Sequence, residues 1–147
     1  MKYSEGKVGR IFVIRLEDGD RMPDAIESFA EKNNVLRGMC ILVGGIKDGG
    51  NIVVGPKNGD SLPPQPVTFP IKGVHEIAGV GTVFPDDEGN PKLHMHASLG
   101  REGKSSTGCI RPGIEVWKVG EIVLLEIKEN PARRKKDFQT GFELLEP

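Results

Sequence analysis

The chain has 147 residues, a formal net charge of −1 and 37% hydrophobic residues, with a mean hydropathy of −0.30. That length suits one domain able to bury a core without disulfide staples, and the charge balance lacks the basic surplus usual in a protein that binds nucleic acid by itself. No apolar run is long enough to cross a membrane as a helix. The opening segment, Met1 to Gly6, lacks the apolar region of a secretory signal, so a cytoplasmic setting is expected.

Twenty glycines and eleven prolines punctuate the chain, which favours short strands and turns over long helices. Residues 8–16 are rich in β-branched and aromatic residues and predict a strand, closed by the turn Glu17-Asp18-Gly19-Asp20. Met22, Ile26, Phe29 and Ala30 follow helical spacing behind Pro23, so residues 22–33 predict the one helix. Strands are then expected over 35–46, with a kink at Gly44-Gly45, and over 51–55. A proline-rich loop follows at 56–66, then strands over 67–71 and 74–84. Residues 85–90 read as a turn pairing 74–84 with 92–99 as an antiparallel hairpin. Further strands are expected over 114–118, 121–128 and 142–145. The layout is α+β, one main helix against a mostly antiparallel sheet.

All three histidines fall between positions 75 and 96. His94 and His96 flank Met95, and on a strand such a pair points both imidazoles to one face. Histidines so placed also occur simply half-buried and hydrogen-bonded, or facing solvent. Of the two cysteines, Cys40 sits in the apolar run 39–43 and reads as a small core residue. Cys109 differs. The turn Gly100-Arg101-Glu102-Gly103 allows a hairpin about Glu102 that folds Cys109 back near His94 and His96. Imidazole nitrogen and thiolate sulfur together are zinc donors, so His94, His96 and Cys109 form a candidate metal set. Water, a bound ligand or His75 would supply a fourth donor.

The segments Arg15 to Asp20, Gly44-Gly45-Ile46, His75-Glu76-Ile77 and Leu93-His94-Met95-His96-Ala97-Ser98-Leu99-Gly100 resemble the plant-and-prokaryote conserved (PPC) domain, also called domain of unknown function 296. The resemblance spans about residues 8–128, leaving 129–147 as a C-terminal extension of a single domain, 1–147. It implies a single helix on an antiparallel sheet and a homotrimer. Plant members carry this domain beside AT-hooks, whereas prokaryotic members stand alone and are often labelled as predicted DNA-binding proteins. Bacterial members continue with glycine-glycine-histidine-leucine, whose histidine joins the His-x-His pair. Here the matching run is Thr107-Gly108-Cys109-Ile110, which exchanges that histidine for cysteine. His75 takes a phenylalanine position of the family and Glu76 keeps the acid.

Three functions follow as expectations. The first is a zinc-binding trimeric module for assembly or small-molecule binding. The second is a zinc-dependent enzyme acting on a small molecule, with Glu76 as base or as partner to a ligating histidine, and Arg101 as anion clamp. The third is a DNA-associated protein using the basic run Arg133-Arg134-Lys135-Lys136. An AT-hook is absent, since Arg111-Pro112 lacks the arginine-glycine context. A short charge run of this kind is more often merely solvated.

Overall fold

The computed structural model describes residues 1–147. Its elements in chain order are β1 (Lys7–Leu16), β2 (Arg21–Met22), α1 (Asp24–Lys32), β3 (Gly38–Ile46), β4 (Asn51–Pro56) and β5 (Pro66–Pro70). They continue with β6 (His75–Pro85), β7 (Pro91–Arg101), β8 (Lys104–Ile110), β9 (Ile114–Lys128), β10 (Arg133–Lys136) and β11 (Glu143–Glu146). The main sheet runs β1-β9-β3-β6-β7-β8-β4-β5, with β2 also pairing β9. Every pairing is antiparallel. The architecture is the expected α+β arrangement of one short helix on an antiparallel sheet.

Period-two alternation sorts the strands into two faces. Leu16, Cys40, Leu42, Ile77, Met95, Ala97, Leu99, Ile122 and Leu124 belong to one buried cluster that also takes Ile26 and Ala30 of α1. Phe29 of α1 meets Phe12 of β1 edge-on at 5.2 Å between ring centres. Cys40 is the core residue its apolar context predicted, and burial pushes its thiol up to about 11. Glu27 pins α1 over the start of β7, accepting 2.9 Å from the Leu93 amide.

The opposite face is left largely open. One row across it reads Val13, Val123, Ile41, Val80, His96 and Cys109, residue by residue through β1, β9, β3, β6, β7 and β8. Its four aliphatic members are all exposed. Near one end of this face the β10–β11 hairpin packs against β6. Arg37 Nε donates to Ala132 O at 2.7 Å, and Arg134 reaches Thr82.

Several expected boundaries shift. The helix begins at Asp24, not residue 22, because Met22 is in β2 opposite Ile114. Residues 114–118 and 121–128 form one strand, β9. Lys118, at φ 60°, puts a local twist in it without ending it. The basic run 133–136 is not a loose tail but β10, paired with β11.

Candidate metal centre

Two successive hairpins build the site. In the first turn Asp86 Oδ1 accepts from the Glu88 and Asn90 amides, each at 2.9 Å, and Gly89 takes φ 89°. This fixes Pro85 opposite Pro91, and so Thr82 opposite His94 and Val80 opposite His96. The second turn has Glu102 and Gly103 at its centre with φ 52° and 74°, as a two-residue type I′ connection requires. It pairs Arg101 with Lys104, and the same count brings Cys109 opposite His96. Direct cross-strand neighbours share a face, so His94, His96 and Cys109 project together.

The nitrogen and sulfur donors of these three residues all lie within 4.8 Å of one another. The His94 and His96 rings stand 5.1 Å apart and nearly perpendicular. Donors around a tetrahedral zinc are separated by about 3.5 Å, so small side-chain rotations close the set. Both histidines are exposed and Cys109 is buried. Gly108 explains that burial: a Cβ there would meet Val53 O at 2.6 Å, and its absence lets β4 pair Val53 with Cys109. His94, though exposed overall, is held below the ordinary histidine range, first by partial desolvation of its ring, then by the charges of Arg134, His96 and Arg111. The neutral imidazole so favoured is the form that ligates metal.

His75 does not join the triad. It precedes Glu76, which pairs with Gly100, and lies five residues before Val80, roughly 17 Å along the strand at the usual rise. Its Nδ1 instead shares a 2.9 Å hydrogen bond with Gly73 O. Together with Glu76, Arg101 and Lys104 it lines an open cleft of about 480 Å³ at the far end of the hairpins. Arg101 donates to Val74 O at 2.8 Å and pairs with Glu102. Glu76 and Arg101 are therefore neighbours of each other and not of the triad.

The basic run is mostly engaged. Arg133 and Lys135 pair with Glu146. Arg134 turns inward and is 5% exposed. Its Nη2 donates to Thr82 O and Oγ1, both at 3.1 Å, and Nε lies 3.4 Å from Lys92 O. Since Thr82 faces His94 across the ladder, the guanidinium stands beside the triad. A residue read as a surface charge is buried against the cross-strand partner of His94, and its neighbours in sequence carry no mark of it.

The family model of the Plants and Prokaryotes Conserved (PCC) domain matches residues 3–128. Among curated proteins none matches the chain. Of solved structures, a plant- and prokaryote-conserved protein of Pyrococcus horikoshii is 26% identical over 100% of this chain and 98% of its own, with a TM-score of 0.84. A metal-containing protein of Archaeoglobus fulgidus is 25% identical over 100% of both chains, with a TM-score of 0.82. A Ralstonia eutropha protein with a provisional DNA-binding description is 14% identical over 92% of this chain and 90% of its own, at a TM-score of 0.67. At that identity the last likeness concerns the fold alone.

Proposed function

The chain belongs to the Plants and Prokaryotes Conserved domain family, the PPC domain its sequence resembles, and from that premise we propose that it is a metal-binding homotrimer. His94, His96 and Cys109 hold one zinc ion per chain. The observation that carries this reading is the convergence of two imidazoles and one thiol to within 4.8 Å on one sheet face. The donor set fits zinc: two neutral nitrogens and a sulfur that ionises on binding. The metal-containing neighbour from Archaeoglobus fulgidus, similar over its whole length, supports the same reading. Bound there, the ion would act as a Lewis acid with one position left for a ligand.

Assembly is supported by the open face. A continuous aliphatic row exposed on a sheet is what a second copy would cover, and His96 and Cys109 continue that row. The metal would then sit at the border of a subunit contact. The whole chain acts as one domain, with residues 129–147 laid back on the sheet. No helix is long and apolar enough to cross a membrane, and a cytoplasmic location fits the reduced cysteines expected of such a site.

A zinc-dependent enzyme acting on a small molecule uses the same triad and is favoured by its open fourth position. Glu76 and Arg101 would serve it only from another subunit, given their distance within one chain. Direct DNA binding through residues 133–136 has less support, since Arg134 is buried and two of the other three charges are paired.

The test is elemental analysis of the purified protein together with the His94→Ala and Cys109→Ser variants. The expected result is one zinc per chain in the wild type and at least tenfold weaker uptake in each variant. A wild type that neither carries nor takes up a stoichiometric metal would refute the reading.

A further inference from the structure

Only two charged side chains are buried in this protein, Glu126 and Arg134. Buried charges are normally compensated, because desolvation is costly. Glu126 follows the rule, held by Arg10 at 2.6 Å. Arg134 does not. Its hydrogen bonds all go to neutral oxygens, those of Thr82 and Lys92. Glu143 and Glu27 act on it only from beyond ion-pair distance. Its third nitrogen, Nη1, has no hydrogen-bond partner and is not sealed from solvent. The ring of Phe84, 5.9 Å below the guanidinium, helps fix its plane.

The placement is specific. Thr82 is the direct cross-strand neighbour of His94, and its side-chain oxygen receives Arg134. Cross-strand side chains share a face, so the guanidinium lies on the triad's face, fixed by bonds to residues on both β6 and β7. Arg111 follows Cys109 by two residues and is exposed with no ion-pair partner. If the metal reading above holds, a divalent ion with one thiolate and two neutral imidazoles keeps one net positive charge. Arg134 adds a second beside it, which Glu143 and Glu27 offset only from beyond ion-pair distance.

We propose that Arg134, assisted by Arg111, is an anion clamp at the His94–His96–Cys109 centre, and that the ligand taken there carries a carboxylate or phosphate group. With Nε and Nη2 engaged, the N–H groups of Nη1 are left to form charge-assisted bonds with either anion. The clamp role that sequence alone assigns to Arg101 passes to Arg134. A metal held by His94, His96 and Cys109 would offer the anion a ligand position, and Arg134 would supply the N–H donor and positive charge beside it. Neutral small molecules gain nothing from this arrangement.

The experiment loads the full-length protein with cobalt(II) and follows its visible spectrum while inorganic phosphate or acetate is added. Metal affinity is measured in parallel for wild type, Arg134→Gln and Arg111→Gln. The spectrum of the wild type should shift with at least one of the anions, and their relative affinities tell phosphate from carboxylate preference. Arg134→Gln should weaken anion binding about tenfold, the loss of one charge-assisted bond, while metal binding holds or tightens. A residue that merely braced the fold would weaken both. Arg111→Gln, on the surface, should weaken anion binding about threefold, and it decides the matter if the Arg134 variant fails to fold. Failure to take up metal would sink the metal reading and the clamp with it. Metal uptake without any anion effect, or an anion affinity unchanged in the variants, would overturn the clamp alone.

Discussion

Placing a carboxylate in the middle of the open face, by Val80→Asp, tests self-association directly. Val13, Ile41, Val80 and Val123 are 84%, 46%, 55% and 42% exposed, together roughly two whole aliphatic side chains left in water. Covering them on assembly would contribute about 3–6 kcal/mol per protomer, at 1.5–3 kcal/mol for each fully buried side chain. An unpaired aspartate buried at the centre of that contact costs about 3–5 kcal/mol, enough to cancel most of this gain and weaken association by more than about a hundredfold. In the isolated chain the same side chain faces solvent, so the fold should lose only about 1 kcal/mol of strand preference. Light scattering coupled to size-exclusion chromatography, over a dilution series, should give trimers for the wild type and monomers for the variant. Thermal unfolding should confirm that the variant is folded. A wild type that is monomeric throughout, or a variant that keeps the wild-type assembly, would show that the face has another use.

Arg10 donates its amide, Nε and Nη2 to Glu126 at 2.9, 2.7 and 2.6 Å; the side-chain bonds lead in holding the Glu126 carboxyl down to about 2 from its ordinary 4.5. The unfolded chain therefore takes up a proton that the folded one refuses between those values. The stabilisation is whole above pH 4.5 and is lost as pH falls toward 2, with a ceiling of about 3 kcal/mol. Arg10 is 45% exposed, and solvent screening reduces the expected loss to about 1.5 kcal/mol. Urea unfolding of wild type and Glu126→Gln across this range should show a flatter acid limb in the variant, and parallel limbs would refute the assignment. Gly108→Ala should cost about 1–3 kcal/mol and loosen Cys109, because its methyl would press on Val53 O. An unchanged denaturation midpoint and metal affinity would contradict that. Replacing Arg133, Lys135 and Lys136 together by alanine should leave mobility shifts on DNA at physiological salt as they are in the wild type. A DNA complex lost in this variant would restore the basic run as an interface.

The parts of the site legible in the sequence were those governed by local counting. His94 and His96 share a face because strands have period two, and the turn at Glu102-Gly103 returns Cys109 to them. The same counting excludes His75: a turn that pairs Pro85 with Pro91 leaves Thr82 and Val80, not His75, opposite the histidines. That register depended on the turn's length, which the glycine and aspartates announced only approximately. Arg134 was out of reach for a different reason. Its burial depends on where β10–β11 packs on a sheet assembled from residues far away in the chain, and charge composition contains no such information. Residues 114–118 and 121–128, expected as two strands, are one strand, β9. In the fold β3 pairs with both halves, Gly44 with Gly120 and Ile46 with Val116, and a bulge between those pairs takes up residues 117–119.

The two-residue turn at Glu102-Gly103 has a consequence for how this protein tolerates change. The three donors are brought together by a number, the residues between His96 and Cys109, as much as by their identities. Adding or deleting one residue in that turn would flip Cys109 to the buried face while leaving every donor in the chain and the hairpin still paired. Substitutions on β7 and β8 away from the three donors and Gly108 leave the count untouched, whereas a one-residue change in loop length, ordinarily the mildest event at a surface turn, would dismantle the centre in a single step.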